Sequence, residues 1–280
     1  MSHKYEPVER LYLIVMSIVC TVMILGLITY AYADAPLIRV GIVDTGIDLD
    51  DTRFAPLFCK DALPRDFTGS GMRDDMGHGT HVAGLIKHYA GQTGYCLIIA
   101  KFYDKRNNEG ASTSASYMAA LLWTIDQRAD IINLSLDGSQ PMAGERFAMG
   151  AHPEIQFIVA AGNSSASLDD PTQPSYPACY DTSNMIVVGS TLADGKTRAY
   201  SSNYGRRVTH HEIGDDVLST WPKWKCAPRV KNCRGRYSGT SQATAIATGK
   251  TIAARLKTSR RQSCRPNQCL IDAAPPQAPH

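Results

Sequence analysis

Residues 236–249 read RYSGTSQATAIATG, a run with one charge, Arg236, and small side chains at nearly every position from Gly239 on. Ser241 stands inside it. A serine there could cap a helix starting at 240 or 241, with Ala and Thr behind it for close packing. It could also be a nucleophile held at a helix N-terminus with backbone close on every side. That second role needs a base, a group to orient the base, and donors for the oxygen on which charge develops. The chain offers a candidate for each: Asp44 in VDTGID, His78 in GHGTHVAG and Asn163 in AAGNS. In such a machine the serine hydroxyl attacks a carbonyl, the histidine takes and returns its proton, and the aspartate fixes the imidazole tautomer. An asparagine amide can donate to the oxyanion.

The elements that must position these residues alternate along the chain. The apolar runs 37–44 (LIRVGIVD), 96–103 (CLIIAKFY), 130–136 (DIINLSL), 156–160 and 185–189 (MIVVG) read as buried strands. Segments 80–88, 115–127 and 240–256 read as helices; the second places Tyr117, Met118, Leu121, Leu122 and Ile125 at helical spacing, most simply a core face. Near-continuous apolar strands between helices predict an α/β fold: a mostly parallel sheet with helices on both faces, preceded by one N-terminal hydrophobic helix. In such a sheet chemistry gathers at the carboxyl ends of the strands. Asp44 ends the first strand, Asn163 follows the fourth, and His78 and Ser241 each lie at the start of a helix.

The blocks VDTGID, GHGTHVAG, INLSLDG at 132–138, VAAGN at 159–163 and GTSQATAIATG at 239–249 resemble those of the subtilisin-like serine proteases, in that family's order. Asp, His, Ser is also the order that separates subtilisin from chymotrypsin and the α/β-hydrolases. The resemblance covers about 38–257. It implies a subtilisin-like fold and a serine endopeptidase working through an acyl-enzyme. Asp44, His78 and Ser241 would be the triad and Asn163 the oxyanion donor. Ser135, Leu136, Asp137, Gly138, Ala160 and Gly162 would line the substrate cleft. His81 would be structural. It implies no cofactor, no metal among the site residues, and a protein or peptide as partner.

Departures from the family pattern are informative. Gln242 and Ala245 stand where the family usually has Met and Pro. Asp137 replaces a glycine of the substrate segment, which adds a carboxylate that either attracts Lys or Arg in the substrate or caps a turn with Gly138. The stretch KHYAGQTGYC is short and lacks the longer loop that binds calcium in many relatives. Only six residues, 34–39, separate the N-terminal apolar segment from Val40, so no folding prodomain is expected between them. Two other readings share the same residues: a catalytically silent binding module on this fold, and a peptide ligase in which an amine captures the acyl-enzyme.

The bulk composition sets limits. The chain has 280 residues, 44% hydrophobic, 20% charged, with net charge +3. That charge is too mild for a nucleic-acid protein, and no basic run is interleaved with aromatics. No repeat, phosphate loop or zinc spacing occurs. A polar head at 1–10 precedes 11–33, a stretch of 23 residues without a charge. It reads as a transmembrane signal-anchor, or as a signal peptide ending in Ala31-Tyr32-Ala33. Either reading carries a peptidase domain at 34–257 and a Cys/Pro-containing tail at 258–280 out of the cytoplasm, membrane-anchored or secreted. Seven of the eight cysteines follow the apolar segment, as an oxidising compartment would favour. Cys226/Cys233 and Cys264/Cys269 are close enough in sequence to pair, and at least one thiol is left over.

Overall fold

The computed structural model describes residues 14–18, 20–21, 37–105, 110–230 and 232–263, with backbone only at 110–112 and 260–263. Two units separate, Met1–Leu37 and Ile38–His280. In the first, 14–18 and 20–21 are helical and exposed. Among the described residues no helix is long and apolar enough to cross a membrane. The rest of 11–33, and with it the anchor-or-signal reading, lies outside the described residues, as does the pair Cys264/Cys269.

The second unit is a seven-stranded sheet. Its strands are β1 (Ile38–Asp44), β2 (Arg65–Asp66), β3 (Tyr95–Lys101), β4 (Ile131–Leu134), β5 (Gln156–Ala160), β6 (Met185–Thr191) and β7 (His210–Ile213), in the order β2-β3-β1-β4-β5-β6-β7. Every pairing is parallel. β8 (Val217–Thr220) and β9 (Arg234–Tyr237) form a separate antiparallel pair. The helices are α1 (His78–Ala90), α2 (Gly110–Asp126), α3 (Ala143–Ala151) and α4 (Thr240–Ser263).

β1 shows why the sheet is covered twice. Its residues from Val40 to Asp44 are all buried. Alternate side chains point to opposite faces. Val40 and Ile42 join a core with Val82, Ile86, Ala243 and Ile246 of α1 and α4. Val43 joins the other, with Leu121 and Ile125 of α2 and Met149 of α3. The small residues of α4 let it lie close: a Cβ on Gly249 would stand 2.7 Å from Tyr89 Cβ and 2.8 Å from the Ile86 carbonyl of α1. α4 runs to Ser263, past residue 256 where the apolar pattern ends.

The disulfides are Cys59–Cys96 and Cys226–Cys233. The second is the pair expected from spacing. The first joins cysteines 37 apart, which only the fold brings together. Cys179 and Cys20 are free thiols.

Candidate active site

β1 lies between β3 and β4: the chain runs from β1 out to β2 and β3 on one side, then crosses to β4 on the other. That makes a crevice at the carboxyl ends of the strands. The β1–β4 register runs Val40↔Ile131 to Ile42↔Asn133, so β1 and β4 end at the same edge of the sheet, with Asp44 last in β1 and Ser135 just past β4. Neighbouring strands stand about 4.8 Å apart. Asp44 is 2% exposed.

His78 is the first residue of α1, two residues ahead of the helix expected at 80–88. The early start has a cause. Asp74, fully buried, accepts from Gly77 N (2.7 Å) and Thr80 N (2.8 Å), satisfying donors the helix start leaves open. Asp74 also accepts from Thr45 Oγ1 at 2.7 Å, and that hydroxyl accepts from Gly79 N at 2.9 Å. A Cβ on Gly79 would stand 2.1 Å from the Gly46 carbonyl, so only glycine lets α1 begin this close to β1. The result is a hydrogen bond of 2.7 Å between His78 Nδ1 and Asp44 Oδ1. Asp44 Oδ1 also accepts from Thr45 N at 2.7 Å; Asp44 Oδ2 is buried without a protein partner. Burial alone would pull the His78 imidazole down, but the Asp44 charge and hydrogen bond, with Asp74 behind, outweigh it and raise the pKa above 6.5.

Sequence reasoning missed Thr45 and Asp74. The signal was present: an acid four residues before a helix that opens on Gly-His-Gly-Thr is a capping pattern. His81, fully buried, puts Nε2 3.0 Å from the Val217 carbonyl. Burial pushes its pKa down to about 4. It is a neutral packing residue between Trp221 and Tyr237.

Ser241 is the second residue of α4. Its hydroxyl donates to the Ser135 carbonyl at 3.0 Å, and Ser135 Oγ donates back to the Ser241 carbonyl at 2.9 Å. It makes no hydrogen bond to His78 in this structure. The Ser241 N–H, in the first turn, is bonded to nothing among the described residues. Asn163 Oδ1 accepts from Thr240 N at 2.8 Å, which leaves its NH₂ free to face the cleft. This N-terminus therefore carries an open N–H and the positive end of a helix dipole, with Asn163 bonded to its first residue.

The expected cleft residues divide. Leu136 and Asp137 reach solvent, and Gly138 is exposed while bridging to Tyr176. Ser135, Ala160 and Gly162 are closed off, and Gly162 gives its N–H to Thr240 Oγ1 at 3.2 Å. Asp137 has no hydrogen-bond or ion-pair partner among the described residues, and the surrounding protein raises its carboxyl pKa by desolvation. Among the described residues no group of three or more His, Cys, Asp or Glu stands together as a metal site.

Comparison with known proteins gives the chain's family and fold. The family model described as "Subtilase family" (Peptidase_S8) matches residues 37–273. An intracellular serine protease of Paenibacillus polymyxa is 30% identical over 227 residues, covering 76% of this chain and 64% of its own. Alkaline protease 1 of Emericella nidulans is 30% identical over 80% of this chain and 51% of its own. Subtilisin DY of Bacillus licheniformis is 29% identical over 76% of this chain and 74% of its own. The chain thus spans between half and three quarters of the length of these relatives. Among solved structures, a lanthipeptide protease superposes with TM-score 0.68 at 21% identity, over 82% of this chain and 76% of its own. A cold-adapted subtilisin-like serine proteinase gives 0.61 at 24%, over 80% and 78%. Both likenesses are of fold.

Proposed function

The chain belongs to the subtilase family, and from that membership we propose that it is a serine endopeptidase acting through Asp44, His78 and Ser241, with Asn163 as oxyanion donor. The observation that carries the reading is the 2.7 Å hydrogen bond from His78 Nδ1 to buried Asp44, formed in the crevice where α4 presents Ser241.

The reaction begins when the Ser241 hydroxyl turns from the Ser135 carbonyl toward His78 Nε2. The oxygen attacks the substrate carbonyl carbon and its proton passes to Nε2. Asp44 holds the Nδ1–H and stabilises the imidazolium. The carbonyl oxygen, now negative, is met by the Ser241 N–H and the Asn163 amide. Collapse expels the amine, which takes the proton from His78 and leaves an acyl-serine. Water then attacks that ester, with His78 again as base, and releases the acid and the free serine. Catalytic hydrogen bonds commonly tighten only once substrate is bound, so the resting contact to Ser135 is compatible with this path.

The peptidase unit is assigned to 34–257, followed by a tail at 258–280. The buried Cys59–Cys96 bridge and the Cys226–Cys233 bridge support a catalytic domain held outside the cytoplasm, where disulfides persist. Residues 11–33 serve as its membrane anchor or its cleaved signal, which intact-mass measurement of the mature chain distinguishes.

The test is covalent labelling with a fluorophosphonate. A single adduct on Ser241, and hydrolysed products by mass, are expected. No adduct would make the chain a binding module; joined peptides in place of hydrolysed ones would make it a ligase.

A further inference from the structure

Beside the catalytic crevice lies a cavity of about 260 Å³ whose wall includes Leu136, Asp137 and Gly138. Phe102, Tyr117 and Tyr176 line it, with Gln140 and Met142 among the others. Glu145 lines it too, although it is only 2% exposed. The Glu145 carboxylate is fixed by two hydroxyls: Tyr117 donates to Oε1, and Tyr180 donates to Oε2 at 2.8 Å. Each oxygen keeps a second lone pair. No Lys, Arg or His is among the described residues that line this cavity. Two carboxyl groups and three aromatic faces with no cation of their own are what a cationic side chain needs: charge-assisted hydrogen bonds at the tip, ring faces along the stem.

A second observation lies on the far side of Asp137. The Gly138–Tyr176 bridge draws Ser175 alongside, through Gly138 N to Tyr176 O at 2.9 Å and Tyr176 N to Gly138 O at 2.8 Å. The Ser175 hydroxyl is buried, with the residue 3% exposed, and has no partner. A buried hydroxyl left unpaired costs about 1–3 kcal/mol. It faces the same point as Asp137: a Cβ on Gly162 would stand 2.6 Å from Ser175 Oγ and 3.1 Å from Asp137 Oδ2. Asp137 Oδ2 and Ser175 Oγ thus both stand against buried Gly162, where the Asn203 amide nitrogen lies 2.4 Å from the same point. Ser135, bonded to Ser241, is two residues from Asp137, at most about 7 Å along the chain. An extended peptide advances about 3.3 Å per residue, so a side chain two to four residues from the scissile bond reaches the cavity.

We propose that this cavity is a binding pocket for a basic side chain, Arg or Lys, of the peptide substrate, with Asp137 at its rim as the selecting group and Glu145 at its base, while Ser175 stands behind Asp137 outside the lining. The assignment rests on the proposed cleft but not on its catalytic chemistry, because the pocket recognises charge whether or not the bound peptide is cut.

The test measures binding to the full chain carrying Ser241→Ala, so that no peptide is consumed. The probes are octapeptides with one Arg walked through the eight positions, each matched to a citrulline peptide of the same shape without the charge. At one or more positions Arg should bind at least about tenfold tighter, the size of one charge-assisted hydrogen bond. Asp137→Asn should lower that ratio at least about threefold, and Asp137→Lys should make Glu preferred over Gln at the same position. Both changes sit on an exposed side chain. A parent ratio below about two at every position, or a ratio unmoved by both Asp137 substitutions, overturns the proposal. Fluorophosphonate labelling of the parent is scored separately. Labelling without Arg preference sinks the pocket and leaves the protease reading standing; Arg preference without labelling does the reverse.

Discussion

Ser135 and Ser241 hold each other in both directions, Ser241 Oγ to the Ser135 carbonyl at 3.0 Å and Ser135 Oγ to the Ser241 carbonyl at 2.9 Å. Ser135 Oγ accepts in turn from Asn133 Nδ2 at 2.9 Å, and Thr248 Oγ1 donates to Asn133 Oδ1 at 2.9 Å. The end of β4 is thereby sewn to the first turns of α4. Three of these four bonds do not involve the Ser241 hydroxyl. Removing that hydroxyl takes away the proposed nucleophile while the stitching stays.

Ser241→Ala is therefore expected to lose turnover by about 10⁴–10⁶-fold, the range known for triad members in serine proteases including subtilisin. Its thermal midpoint should stay within a few degrees of the parent, since one partly exposed hydrogen bond contributes about 1 kcal/mol. Single-turnover assays and calorimetry check both halves. A variant that retained a tenth of the parent rate would remove Ser241 from the mechanism.

The pH dependence follows from His78. Its pKa is raised above 6.5 by Asp44, against the downward pull of burial. As general base His78 must be neutral, so kcat/KM should climb with pH through a value above that of an ordinary histidine. The contribution to stability has the opposite sense. The charged pair stabilises the fold fully below pH 6.5, and that contribution is lost as pH rises through the raised pKa. Asp44→Asn should move the acidic limb of the rate profile to lower pH and cut kcat by about 10⁴ through the wrong tautomer. An unmoved limb would show that Asp44 does not set the pKa of the base.

Asn163 has two jobs that one substitution would confuse. Its Oδ1 accepts from Thr240 N at 2.8 Å, and its NH₂ is the proposed oxyanion donor. Asn163→Ala should lose about 10²–10³ in kcat with little change in KM, and should also lower the thermal midpoint by freeing a helix-start donor. Asn163→Asp keeps the acceptor for Thr240 but brings no amide donor and adds negative charge. Its midpoint should match the parent while kcat falls at least as far as in the alanine variant. If the aspartate variant kept its rate, the oxyanion role would belong elsewhere.

The sequence reading succeeded where the signal was local. Apolar runs marked β1, β3, β4, β5 and β6 because a strand buried on both faces has no polar alternation to blur it. Asp44, His78, Asn163 and Ser241, the proposed site residues, are legible as candidates because each lies at or just past a strand end or at a helix start. β7, with sequence HHEI and two exposed histidines, lies at the sheet edge and carries no apolar run. α3 begins at Ala143 after Pro141 with only Glu145, Ala148 and Met149 turned inward, too narrow a stripe to register. Residues whose meaning comes from distant partners were out of reach in principle. Cys59–Cys96, Ser175 beside Asp137, and Glu145 between two tyrosines are contacts of the fold and leave no periodic trace.

Lys101 belongs to that hidden class and carries the last prediction. It ends β3 directly across from Asp44 in the β1–β3 register, yet it is 0% exposed. Its ammonium gives all three protons away: to the Gly71 carbonyl at 2.8 Å, the Arg73 carbonyl at 2.7 Å and Asp104 Oδ2 at 2.8 Å. It thus pins the loop that delivers Asp74 to Thr45 and α1. Lys101→Met keeps the stem's volume but takes this donor from two carbonyls and takes the cation from the buried Asp104 carboxylate, which keeps the Ser70 hydroxyl at 2.8 Å. Breaking a buried pair in this way costs about 3–5 kcal/mol, and urea denaturation should show that loss. Asp104→Asn added to Lys101→Met removes the charge that has lost its cation. The double variant should then be more stable than the sum of the singles by about 0.5–3 kcal/mol. The loosened loop should also lower kcat in Lys101→Met, because Asp74 no longer fixes the start of α1 under His78. A single-variant cost under about 1 kcal/mol would mean that water replaces the ammonium, and that Lys101 does not brace the site.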